Sequence, residues 1–153
     1  MSYIDQNLMP GERILFRTKK HIIVFFFPAV WILIAFYIYY YMLENPILIR
    51  LAWVPWLLAI VFWAYSWFDY YFSEYAVTDK RVMMREGFFT RHTNETRLST
   101  ITQVNVDQTL FGQMLNYGTV SINTFGAFDA FPVVASPFAF QKMVNEQLDK
   151  IVR

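Results

Sequence analysis

Residues 22–43 read IIVFFFPAVWILIAFYIYYYML, without a single charge. At ~1.5 Å per residue this run covers roughly 33 Å, enough for a hydrocarbon core of ~30 Å. A second uncharged run, 51–68, reads LAWVPWLLAIVFWAYSWF. It covers about 27 Å and can borrow Tyr70, Tyr71 and Phe72 as an interfacial extension. Neither run has a polar face, and each is longer than most core helices. Two transmembrane helices are therefore expected, at 22–43 and 51–68, rather than buried helices of a soluble core. The link between them, ENPILIR, carries Asn45-Pro46 as a turn signal and is short enough to force an antiparallel hairpin. Composition agrees: the chain is 56% hydrophobic and 16% charged, against about a quarter charged in soluble domains.

Basic residues set the expected orientation. Arg13, Arg17, Lys19 and Lys20 precede the first run, and Lys80, Arg81 and Arg85 follow the second. The link holds only Arg50. Both termini are then expected in the cytoplasm of a bacterial inner-membrane, multi-pass protein. Tyr39, Tyr40, Tyr41, Trp53 and Trp56 would form the outer aromatic belt. Trp63, Tyr65, Trp67, Tyr70 and Tyr71 would form the inner one. A cleaved signal peptide is not expected, because the apolar run starts late, is too long and lacks a small-residue cleavage site. Pro28 and Pro55 lie inside the runs and are expected to bend them. No ionisable residue lies in either run, so an anchor is favoured over a transport pathway. A channel or transport subunit is the third-ranked function, resting on Ser66 and the tyrosines alone.

Several chemistries are excluded early. Zero cysteines remove disulfides, thiolate metal sites and cysteine nucleophiles. A net charge of +1 argues against a nucleic-acid partner. Two histidines, His21 and His92, make a poor metal set. His21 is expected as an interfacial anchor and His92 as an exposed strand residue. Asp69, Ser73, Glu74 and Asp79 form a polar junction, with no serine–histidine–acid set, phosphate loop or HExxH helix beside them. No catalytic, metal or cofactor site is expected, and the protein is read as non-enzymatic.

From Ser73 onward the pattern becomes that of short strands. EYAVT (Glu74–Thr78) and RVMMRE (Arg81–Glu86) flank a tight turn at Thr78-Asp79-Lys80. Gly87 marks a second turn, and 88–98 reads as an exposed third strand. Further strands are expected at 101–107, 118–124 and 129–135, with a short helical turn at 111–116. Pro132 makes the last strand an edge or a bulged one. Met83 and Met84 point to opposite faces, so only one is expected in the core. Ser136-Pro137 reads as an N-cap and first helical position. Phe140, Met143, Val144, Leu148, Ile151 and Val152 then recur at helical spacing. The division is an N-terminal arm at 1–21, a hairpin at 22–71 and a cytoplasmic domain at 72–153. The arm alternates around Ile14, Phe16 and Thr18, and can add a strand, lie on the bilayer or trail as a tail; packing on the domain is favoured.

Three stretches together resemble the membrane-flanked bacterial pleckstrin-homology-like (PH-like) family, the YdbS-like proteins. They are LMPGERILF at 8–16, YAVTDKRVMMREG at 75–87, and LSTITQVNVDQTLFGQMLNYGTVSINT at 98–124, which contains the YGTV strand start at Tyr117-Gly118-Thr119-Val120. The resemblance implies a bent sheet or partly open barrel of about seven strands, closed by one C-terminal helix, and no catalytic residues. The overall expectation is a two-helix transmembrane hairpin followed by a small, mainly-β, α+β PH-like domain.

Two surfaces are candidates for function. Phe88, Phe89, Phe125 and Phe128 flank turns and are the candidate contacts for a partner or the bilayer. Phe111 and Phe131 share this aromatic excess, some of which must fill the core. Lys80, Arg81 and Arg85 are the candidate contacts for lipid or phosphate, with Arg91 and Arg97 nearby. The segment 73–153 holds eight Lys/Arg and eight Asp/Glu, so bulk attraction to anionic lipid is weak. The expected role is protein assembly or an accessory function at the membrane, as a homo-oligomer or with another membrane protein. The alternative is a sensor of lipid headgroups.

Overall fold

The computed structural model describes residues 3–45, 47–87 and 92–152, with side chains to 151. The chain divides into two compact units. One comprises 1–21 together with 72–153, and the other is 22–71.

The second unit is a pair of antiparallel helices. A 3-10 turn at Ile22–Phe25 leads into α2 (Phe26–Leu43), and another at Leu48–Leu51 precedes α3 (Val54–Phe72). Both helices are long and apolar enough to cross a membrane. Their pairing is aromatic. Phe25 meets Trp63, Trp67 and Tyr70; Trp31 stacks on Phe62; Phe36 and Tyr39 meet Trp56 edge-on. Ala35 and Ala59 are buried, as are Pro28 and Pro55, and the small alanines let the backbones approach. Pro28 and Pro55 do not interrupt helix interiors as expected. Each lies in the first turn of its α-helix, Pro55 at the second position and Pro28 at the third, just after the 3-10 turn.

The first unit opens with a one-turn helix, α1 (Tyr3–Gln6), and a strand, β1 (Ile14–Lys19). After the helical pair come β2 (Glu74–Thr78), β3 (Arg81–Glu86) and β4 (His92–Arg97). These four form an antiparallel sheet in the order β1-β2-β3-β4. β1 pairs with β2 from Lys19↔Glu74 to Ile14↔Thr78, so the alternating stretch at 14–19 is the sheet's edge strand. A division at residue 72 leaves this strand out: the sheet is completed by residues on the other side of the hairpin. The expected third strand is seen from His92; residues 88–91 lie outside the described residues.

A 3-10 turn at Leu98–Thr100 leads to a second antiparallel sheet, β5 (Ile101–Asp107), β6 (Tyr117–Thr124) and β7 (Ala127–Ala135). Between β5 and β6 lies a short helix, α4 (Leu110–Leu115). β7 carries the disruption expected of Pro132. Gly118 pairs with Val134 but Val120 pairs with Phe131, and Val133 in the extra step has φ 59°. The two sheets meet where β1 ends. Lys20 bridges to Val134, the His21 N–H donates to Val133 O at 2.7 Å, and Thr18 Oγ1 donates to Ala135 O at 2.7 Å.

Helix α5 (Pro137–Val152) closes the unit. Its Phe140 and Val144 are fully buried against Tyr75, Val77, Val120, Ile122 and Val134. Each such burial is worth about 1.5–3 kcal/mol. The stripe is shorter than its sequence suggests, because Ile151 is half exposed. Ser136 is not a conventional N-cap. Its φ is 53°, its carbonyl accepts from Phe140 N–H, and its hydroxyl accepts from Asn116 Nδ2.

Both methionines are core residues. Met84 joins the main core, and Met83 lies on the other face in a second cluster with Ile4 and Ala76, flanked by Tyr3, Leu8 and Ile14. Alternation alone exposes one of them. The N-terminal segment covers that face, so the central strands β2 and β3 are buried on both sides.

Candidate interaction surfaces

The basic set at the β2–β3 turn is split by its surroundings. Arg81, expected as a lipid or phosphate contact, is buried and its guanidinium is occupied. Nε donates to Glu12 Oε1 and Nη2 to Glu12 Oε2, each at 3.0 Å; Nη2 also donates to Asn7 O, and Nη1 donates to Glu95. Glu12 follows Gly11, whose φ of 77° turns the chain so that the carboxylate points inward. The carboxylate also accepts from Met9 N–H at 2.7 Å and from Thr78 Oγ1 at 2.7 Å. Burial, the largest single influence, works to raise its pKa. The hydrogen bonds from Arg81, Met9 and Thr78, with the Arg81 charge, outweigh it and hold the pKa from an ordinary 4.5 down to about 2. The hydrogen bond to Glu12 raises Arg81 further, against its own desolvation. Arg81 is thus the clasp between the N-terminal segment and the sheet.

Arg85 is half buried, its guanidinium 4.8 Å from the Tyr3 ring centroid and 5.8 Å from that of Phe72. This is a cation–π setting. Lys80 is exposed, with Nζ 3.5 Å from Pro10 O. It lies beyond Thr78, at the far end of β2 from Phe72, and a five-residue strand spans about 17 Å. Asp79 accepts from the Arg13 N–H and donates its own N–H to Arg13 O. His92 is an exposed strand residue, and the His21 ring stacks on Tyr117 at 5.2 Å. Among the described residues, no group of three or more His, Cys, Asp or Glu is placed to hold a metal ion.

Of the candidate aromatics, Phe125 and Phe128 are 85% and 65% exposed at the β6–β7 hairpin. Phe125 borders a shallow depression shared with Glu95, Arg97, Thr100 and Asp129. Phe88 and Phe89 lie outside the described residues. Phe131 fills the core as the aromatic excess requires, whereas Phe111 does not.

A second apolar surface escaped the sequence pattern. In α4, Leu110, Phe111, Met114 and Leu115 are all exposed, and the buried residue is Gly112. A Cβ at Gly112 would meet Tyr117 O at 2.5 Å, so glycine is what lets α4 lie against the start of β6. Thr109 caps the helix by accepting from Gly112 N–H, and Asn116 ends it in the left-handed region. Gln108 Nε2 donates to Tyr117 O at 2.9 Å. Sequence patterning assigns Leu, Phe and Met to a core; the signal for the reverse is a glycine where the buried face needs a large residue.

Comparison with known proteins adds one result. No curated protein and no solved structure matches the chain. A family model described as bacterial PH domain matches residues 14–149, from the first residue of β1, across the helical pair, into α5. Two antiparallel sheets closed by a C-terminal helix are the architecture expected of that fold. The chain belongs to the bacterial PH domain family.

Proposed function

We propose that the protein is a non-enzymatic, integral inner-membrane protein with both termini cytoplasmic, whose PH domain serves protein assembly. The α2–α3 pair is the anchor, since its surface is apolar over two lengths that match a bilayer. The observation that carries the assembly reading is the exposed Phe125–Phe128 hairpin. β6 runs about 24 Å from Tyr117, beside the residue where the chain leaves for α2, to Thr124 at this hairpin. Two large aromatics at the end remote from that point suit a protein partner, which gains most from aromatic anchors. The headgroup-sensor reading is weaker, because Arg81 is engaged internally and Lys80 sits at the far end of β2.

The test is the mass of the intact particle extracted in mild detergent, for the wild type and for Phe125→Ser/Phe128→Ser. A homo-oligomer or a stoichiometric complex that dissociates in the variant is the expected result. A monomer in both samples would overturn the assembly reading.

A further inference from the structure

We infer that α4 is a third membrane contact: Leu110, Phe111, Met114 and Leu115 seat in the headgroup–acyl boundary of the bilayer. This rests on the membrane anchorage proposed above. The placement follows from contacts within the PH unit. His21, the last residue before the apolar run, stacks on Tyr117. Gly112 of α4 packs against the Tyr117 carbonyl. Lys19, at the same end of β1, pairs with Glu74, two residues after Phe72. The chain therefore leaves for the helical pair and returns from it at the end of the unit that carries α4. An apolar helix held at that end is within reach of lipid.

The build of α4 supports this occupant. Its four large side chains are 48–82% exposed, and it contains no charge. Capping by Thr109 and Asn116 fixes the helix with the apolar face outward. Phe138 at the start of α5 is also 56% exposed, and the depression it shares with Asp107, Gln108, Gln113 and Asn116 is polar, suited to the headgroup level. Exposed Lys19, at the end of β1 from which the chain leaves for α2, is placed for lipid phosphate. A second copy is a poorer occupant. A six-residue helix is ~9 Å long and ~10 Å wide, far below the ~800 Å² per partner that a stable interface buries.

The chain has no cysteine, so single-cysteine variants take a nitroxide label at one place. Full-length Met114→Cys, Lys142→Cys (79% exposed) and Leu58→Cys would be labelled and reconstituted in vesicles of phosphatidylethanolamine and phosphatidylglycerol. Collision with a water-soluble nickel complex is then compared with collision with oxygen. At position 114 the nickel collision rate should be roughly tenfold below that at 142, the partition expected for a buried apolar side chain. Equal nickel access at 114 and 142, with 58 dry, would overturn the α4 inference alone. Nickel access at 58 would overturn the membrane anchorage and this inference with it. Spin–spin broadening at 114 that vanishes on dilution with unlabelled chain would assign the face to a second copy and overturn the inference as well.

Discussion

Glu12 and Arg81 form a two-point ion pair, Oε1 to Nε and Oε2 to Nη2, each at 3.0 Å, between residues separated in sequence by the whole helical hairpin. The Glu12 side chain is fully buried and that of Arg81 is 8% exposed. Removing Glu12 leaves the buried guanidinium with Glu95 alone as counter-charge and takes the carboxylate acceptor from Met9 N–H and Thr78 Oγ1. Glu12→Ala should therefore destabilise the PH unit by about 3–5 kcal/mol, whereas Glu12→Leu with Arg81→Met should recover much of the loss. Thermal unfolding of the detergent-solubilised chain measures both. A Glu12→Ala variant as stable as wild type would show the pair to be idle.

The same carboxylate sets an acid limit. Its pKa is about 2 in the folded chain against 4.5 for the free group. The unfolded chain therefore binds more protons, and the stabilisation is fully present above pH 4.5. It drains away as pH falls from 4.5 through about 2. Denaturant titrations across this interval should show a slope in the wild type that Glu12→Gln lacks. Parallel pH profiles would contradict the assignment.

A residue near the N-terminus should behave as core. Ile4 is fully buried with Ala76 and Met83. Ile4→Ala should cost about 2–5 kcal/mol, the range for deleting a buried branched side chain. Chemical denaturation reads it directly, and a change within ~0.5 kcal/mol would mean surface behaviour.

Gly112→Ala should also be costly. The added Cβ would stand 2.5 Å from Tyr117 O, a backbone atom that cannot step aside. A loss of about 1–3 kcal/mol is expected from such overpacking. Gln113→Ala, on the exposed side of the same helix, should be nearly neutral. Equal melting temperatures for the two variants would show that α4 does not need its close seat.

Much of this was legible from local pattern. The two apolar runs, the β2–β3 hairpin, the strand irregularity at Pro132 and the start of α5 all express periodicity or turn chemistry within a few residues. What pattern could not show depends on distant partners. Arg81 reads as a surface cation because Glu12 and Glu95 lie elsewhere in the chain. One of Met83 and Met84 reads as exposed because the segment that covers Met83, around Ile4, comes before the hairpin. The α4 surface was hidden for another reason: its buried position is filled by glycine, which carries no hydrophobic signal. Phe125 and Phe128 were readable, because large aromatics beside Gly126 in a tight hairpin have little to pack against.

The split sheet carries a consequence for biosynthesis. β1 is made first, yet its partner strand follows about 55 residues later, after both long helices. At about 5–20 residues per second, β1 waits roughly 3–11 s for β2. A ribosome stalled within the hairpin releases a chain whose first strand has nothing to pair with and whose Glu12 carboxylate has met no arginine. Completion of the PH unit therefore reports that the whole hairpin has been synthesised, and the clasp at Arg81 closes only once the chain has passed it.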